Sequence, residues 1–171
     1  ILAIGIRTFV AEARYIPSSS METTLEINDR LIIEKIGYLF KTPARGDIVV
    51  FNPTKTLQEQ NFKDAFIKRV VALPGEQVEI KQGKVLINGK PLTEEYTYGA
   101  KTEVGRSTCN AMENPYLSKP EIVPPDSYLV LGDNRNNSYD GRCWGVVPRD
   151  KIIGRAMVRF WPLDRIGAIE P

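Results

Sequence analysis

The sequence predicts a mainly β fold: an antiparallel β-rich core with a loop-rich lobe inserted in its middle. Short runs rich in Val, Ile and Phe recur along the chain, each bounded by turn residues. Beyond residue 14 no long stretch keeps a helical period. Between 93 and 126 the strand rhythm breaks on Gly99, Gly105, Pro115, Pro120, Pro124 and Pro125.

Residues 1–14 open on the apolar run ILAIGIRTFV. A membrane-spanning helix needs about 20 apolar residues, so this run alone is too short. It also lacks the basic start and A-x-A end of a cleavable signal. It is either a buried first element or the trailing end of a membrane anchor, with Arg7, Glu12 and Arg14 marking the exit into water. Residues 15–92 hold the first part of the core. RLIIEKI (30–36), GDIVVF (46–51) and DAFIKRVVAL (64–73) read as strands. QVEI (77–80) and VLIN (85–88) flank a turn at Gly83, and Asn88-Gly89 begins the next turn. NPTKTLQEQNFKD (52–64) is a polar insertion into this series. Residues 93–126 form the inserted lobe. Residues 127–171 return to the core through SYLVLGD (127–133) and KIIGRAMVRFW (151–161), and no internal repeat is visible.

A chain of 171 residues suits one domain with an elaboration. Its 42% hydrophobic and 26% charged residues are an ordinary globular balance. A net charge of +2 gives no reason to expect nucleic acid, which needs a clustered basic surface. The chain has no histidine, which excludes Ser-His-Asp and Cys-His catalysis and His-ligated zinc together. Cys109 and Cys143 are too few for a four-thiolate site; they form one disulfide in an oxidising compartment or remain two thiols.

The stretch IPSSSM (16–21) places three serines in a row. Without histidine, a serine nucleophile needs another base, and lysine serves if desolvation makes it neutral. Free lysine has a pKa near ~10.4, and burial lowers it by up to ~3–5 units. Most lysines here stand among polar neighbours. Lys68 does not: strand alternation puts Phe66, Lys68, Val70 and Ala72 on one face. From that strand alone, a lysine at a sheet edge whose amine reaches water is the commoner outcome. The third polar stretch is GDNRNNSYDGRCWGVVP (132–148). It fails as a calcium loop, because Arg135 takes the third position and Ser138 the glycine position. The alternating charges of Asp133, Arg135, Asp140 and Arg142 favour a packed ion-pair network that holds a site rigid.

Taken together, IPSSSMETTL, GDIVVF, FIKRVVALPGEQVEI and GDNRNNSYDGRCWGVVP resemble, in the right order, the sequence boxes of type I signal peptidases. These are membrane-anchored proteases that cut signal peptides from exported proteins. The match runs from Ile16 to Val147. The resemblance implies Ser20 as nucleophile and Lys68 as general base. It implies that the Ser18 hydroxyl and the Ser20 N–H stabilise the oxyanion, and that Ser138 hydrogen-bonds the lysine amine. Asp140 and Arg142 match a supporting ion pair, and Asp133 belongs to the same support. Ile16, Met21, Leu25, Phe66 and Ile67 fall where the family lines pockets for small P1 and P3 side chains. Three positions depart from the family pattern: Ser19 stands for glycine, Thr23 for proline and Gly141 for serine.

The resemblance further implies preprotein signal peptides of A-x-A type as substrates, contact with membrane lipid, and no metal or cofactor. The first ten residues then look like the outer end of a single-span anchor. The catalytic domain is expected on the extracytoplasmic side, periplasmic or thylakoid-lumenal, with Trp161 near the membrane. Two alternatives differ in class. A self-cleaving repressor-type regulator needs a DNA-binding domain upstream. A non-catalytic β module that binds extended peptides leaves Ser20 and Lys68 incidental.

Overall fold

The computed structural model describes residues 10–171, so residues 1–9 of the expected anchor end at 1–14 lie outside the described residues. Among the described residues, no helix is long and apolar enough to cross a membrane. The fold is mainly β, and the described strands form two antiparallel sheets. The larger sheet runs in the order β1 (Ala11–Tyr15), β2 (Arg30–Glu34), β11 (Ile152–Trp161), β3 (Ile48–Phe51), β4 (Phe66–Ala72), β9 (Ser127–Leu131) and β10 (Val147–Pro148). A short β12 (Gly167–Ala168) lies beside β11. The smaller sheet is β7 (Lys90–Pro91), β6 (Lys84–Ile87), β5 (Gln77–Lys81) and β8 (Glu121–Ile122). The strands at 77–91 thus pair with 121–122 rather than with the larger sheet.

The run IVVF of β3 is buried at every position because both faces of the sheet are covered. Val49 and Phe51 pack with Tyr38, Val70 and Trp144 on one side. Ile48 and Val50 pack with Ile16, Met21, Leu25 and Leu31 on the other. Alternation therefore holds in direction but not in polarity, as in any sheet buried on both faces. In β4 alternation also breaks. Its pairing with β9 shifts register between Val70 and Ala72. This irregularity moves Ala72 off the face shared by Phe66 and Val70 and into the third core cluster with Val71, Val78 and Leu129. The expectation that Ala72 shares a face with Lys68 is corrected accordingly.

Two elements had no sequence signal. β1 pairs along its whole length with β2, from Ala11↔Glu34 to Tyr15↔Arg30. Glu12 and Arg14, expected to mark an exit into water, are therefore strand residues. Its sequence AEARY lacks the β-branched residues that betray a strand. Within the polar insertion, α1 (Lys55–Glu59) forms one turn, with the Thr54 hydroxyl accepting from Leu57 N and Leu57 buried beneath. A second short helix, α2 (Gly141–Trp144), starts at Asp140, whose carboxylate accepts from Arg142 N. Cys109 and Cys143 are joined in a disulfide that ties the inserted lobe to α2.

Candidate active site

Ser18, Ser19 and Ser20 lie in a bend leading into a turn rather than in a strand. The Ser18 and Ser20 hydroxyls nonetheless converge, with Ser18 Oγ donating to Ser20 Oγ at 3.4 Å. Ser19 turns to the opposite wall, where its Oγ accepts from Asn137 Nδ2 at 2.7 Å. Ser20 is 8% exposed. Met21 behind it is fully buried, and the Asp133 N–H donates to its sulfur at 3.4 Å. Thr23 is exposed at the tip of the turn.

Lys68 Nζ lies 2.8 Å from Ser20 Oγ. Its position is set by β4, which pairs Lys68 with Val49 on one side. On the other side β9 pairs only from Arg69 onward, so Lys68 stands at an open edge. The side chain is nevertheless almost fully buried, with the residue only 4% exposed. Burial pushes its pKa from 10.5 down to about 8. The Asp140 carboxylate opposes that fall, the Arg142 guanidinium adds to it, and Asp133 opposes it again. A hydroxyl and a poorly solvated amine at this separation can exchange a proton without histidine.

Three buried ion pairs hold the surroundings. Asp140 and Arg142 are both fully buried, joined at 2.8 Å and 3.0 Å. Asp140 also accepts from Gly132 N at 3.0 Å. Burial works against its ionised form, but the charge and hydrogen bonds of Arg142 hold its pKa below the usual carboxylate value. Asp133 pairs bidentately with Arg69 at 2.8 Å and 2.7 Å and accepts from Thr24 Oγ1. Arg135 pairs with Glu94 of the inserted lobe and donates to Thr102 and to the Gly132 carbonyl. The expected network is present. The partners of Asp133 and Arg135, however, come from β4 and from the lobe rather than from their own loop. A buried arginine beside Lys68 was the available sequence signal for Arg69, since such a group requires a carboxylate. Glu94 had no such signal.

Two glycines make this packing possible. An added Cβ at Gly132 would stand 2.1 Å from Ser138 Oγ and 2.7 Å from the Ser20 carbonyl oxygen. One at Gly141 would stand 2.8 Å from both Leu129 Cδ1 and the Val130 carbonyl oxygen. The departure to glycine at 141 therefore fits this chain's close approach of α2 to β9. Ser138 departs from its expected contact. Its hydroxyl is buried against Gly132, and among the described residues it has no hydrogen-bond partner. Arg142 holds the Ser138 carbonyl at 3.1 Å, while the lysine amine is engaged by Ser20.

A cleft of about 600 Å³ opens at Ser18–Ser20 and Lys68, walled by residues 61–67 and by Asn110, Asn137 and Tyr139. A second cleft of about 420 Å³ continues between residues 12–17 and 64–67. Phe66 and Ile67 line both, and Ile16 lines the second. Met21 and Leu25 line neither: they are fully buried in the apolar cluster beneath, against which Ile67 packs. Their contribution to pocket shape is through that packing. Asn110, Tyr139 and Phe62 were not anticipated. Phe62 and Tyr139 sit 6.1 Å apart, and Tyr139 Oη donates to Gln60.

The model of the family described as signal peptidase, peptidase S26, matches residues 1–161. A protein of Synechocystis sp. named Probable signal peptidase I-2 is 60% identical, over 99% of this chain and 72% of the relative. Signal peptidase I of Leptolyngbya laminosa is 58% identical, over 100% of this chain and 79% of the relative. Thylakoidal processing peptidase 1 of Arabidopsis thaliana is 35% identical, over 96% of this chain and 46% of that longer protein. With near-complete coverage by the family model and by such relatives, the chain belongs to the signal peptidases of peptidase family S26, serine endopeptidases that remove signal peptides.

Proposed function

We propose that this chain cleaves preproteins after a small residue, in an A-x-A context, with Ser20 and Lys68 as a catalytic dyad. The observation that carries the reading is the 2.8 Å approach of Lys68 Nζ to Ser20 Oγ, both residues almost buried at the floor of an open cleft. Neutral Lys68 takes the Ser20 proton as Oγ attacks the scissile carbonyl. The Ser18 hydroxyl and the Ser20 N–H hold the oxyanion. The leaving amine takes the proton back from Lys68. Water then cleaves the acyl-enzyme, with Lys68 again as base. Asp140, Arg142 and Asp133 keep the surrounding loop rigid.

The substrate binds as an added strand at the open edge of β4. By antiparallel alternation, Lys68 faces β3 with its backbone and Ile67 faces the cleft, where its N–H and C=O are placed to pair with an extended peptide. Residues 12–17 form the opposite wall of that slot. Phe66, Ile67 and Ile16 narrow it toward small side chains. The catalytic domain works on the extracytoplasmic side of a membrane, anchored by a span whose outer end is ILAIGIRTFV.

The test is incubation with a preprotein in detergent and location of the cut by mass spectrometry. One cut after an A-x-A alanine, lost in Ser20→Ala and in Lys68→Arg, is the expected result. Cleavage that survives Ser20→Ala ends the proposal.

A further inference from the structure

The peptide group that supplies the proposed oxyanion N–H is held from behind. The Ser19 carbonyl accepts from Asn134 Nδ2 at 3.0 Å and from Glu22 N at 3.1 Å. The next carbonyl, of Ser20, accepts from Asn134 N at 2.9 Å. One residue thus grips both carbonyls that flank the nucleophile's amide. The Ser19–Ser20 peptide is trans. In a trans peptide the C=O and N–H lie in one plane and point in opposite directions. Fixing the Ser19 carbonyl against Asn134 therefore fixes the Ser20 N–H toward the other side, away from the 132–137 loop. Among the described residues nothing accepts from that N–H. The loop can come this close because position 132 is glycine: an added Cβ would press on the Ser20 carbonyl at 2.7 Å.

We propose that Asn134 is the positioning residue of the oxyanion site: its side-chain amide, by holding the Ser19 carbonyl, prevents the Ser19–Ser20 peptide from rotating and keeps the Ser20 N–H aimed at the developing oxyanion. This rests on the dyad reading above. A rotated peptide plane would present a carbonyl oxygen where the transition state needs a donor, replacing attraction with repulsion. Asn134 itself never meets the substrate carbonyl. Asn137 adds a second hold through the Ser19 hydroxyl, at 2.7 Å. That hold requires serine at 19. The hold by Asn134 requires only the carbonyl, which glycine also carries.

The test uses Asn134→Ala and Asn134→Leu, which keep the main-chain N–H to Ser20. A preprotein and a tripeptide boronate ending in boro-alanine serve as probes, with an uncleavable peptide as ground-state control. The boronate becomes tetrahedral on Ser20 and carries an oxygen where the oxyanion forms. Both variants should lose kcat by about 10- to 100-fold, less than removal of a donor outright because Ser18 remains. KM, affinity for the uncleavable peptide and the midpoint of the pH profile should stay within about twofold. Boronate affinity should fall in step with kcat. Ser19→Gly should lose no more than about threefold.

Unchanged kcat in the Asn134 variants overturns the proposal. So does a lowered kcat with unchanged boronate affinity, or a Ser19→Gly loss as large as that of Asn134→Ala. If both Asn134 variants unfold, the wild-type enzyme decides: its Ser20 amide proton should move downfield on boronate binding, and a resonance that does not move refutes the assignment. Turnover surviving in Ser20→Ala would sink the dyad reading instead, whatever the Asn134 variants do.

Discussion

A buried lysine is costly unless a charge pairs with it, and here no carboxylate touches the amine directly. Lys68 faces a serine hydroxyl, and its pKa falls to about 8 through burial. Cleavage should therefore rise with pH through a midpoint near 8, because only the neutral amine accepts a proton. A profile flat from pH 5 to 9 would contradict this. Lys68→Arg should be inactive, since guanidinium stays charged. The same shift has a stability sign. A lysine with a lowered folded pKa destabilises the fold fully below about 8, and the penalty fades as pH rises toward 10.5. Lys68→Met should thus gain about 3 kcal/mol in urea unfolding at pH 7, a gain that disappears by pH 11. Ser18→Ala should keep a rate lowered by about 10²–10³-fold if its hydroxyl serves as an oxyanion donor. Strand periodicity could find the apolar face around Lys68. It could not show whether the edge beside it was open, because that depends on where β9 stops pairing.

The element that organises the site is β4, and it does so by being irregular. Phe66, Ile67 and Lys68 pair with β3 alone and leave an edge free, Arg69 pairs with both neighbours, and Val70 and Ala72 pair with β9. Arg69 lies at the changeover and reaches across to Asp133, both almost without solvent contact. Removing one member of such a pair strands the other charge, so Asp133→Ala should lose about 3–5 kcal/mol in urea unfolding. Replacing both by apolar residues should lose far less, and an equal loss would show that the pair itself stabilises the fold. The strands were legible where Val and Ile cluster, as in β3 and β11. β1 was not, since its pairing with β2 comes from tertiary fit. The shift at Val70 to Ala72 was invisible because both faces there are apolar, and α1 is too short to establish a period.

Across the whole molecule, the disulfide and the buried ion pairs tie the inserted lobe to the site. Cys109 and Cys143 lie 34 residues apart in sequence. Closing a loop of that length is worth about 4 kcal/mol in the chain-entropy account, so the Cys109→Ala/Cys143→Ala double variant should be less stable by about that amount in urea. The two tryptophans separate cleanly. Trp144 is buried and donates to the Tyr139 carbonyl, whereas Trp161 is 43% exposed with Arg30 over its ring. A fluorescence shift on adding lipid vesicles should therefore vanish in Trp161→Phe and persist in Trp144→Phe. The four polar boxes were legible because each is a short contiguous stretch. Glu94, Thr102 and Asn110 were not, since the lobe reaches the site through isolated residues without a pattern. The clamp around Ser20 comes from the far side of the chain, at 132–142, long after the serine and lysine themselves. Synthesis runs from the N-terminus at about 5–20 residues per second. A growing chain thus carries Ser20 and Lys68 for several seconds before the residues that hold them in place exist. By this spacing the proposed dyad is among the last parts of the fold to be held in place, once residues 132–142 have been made.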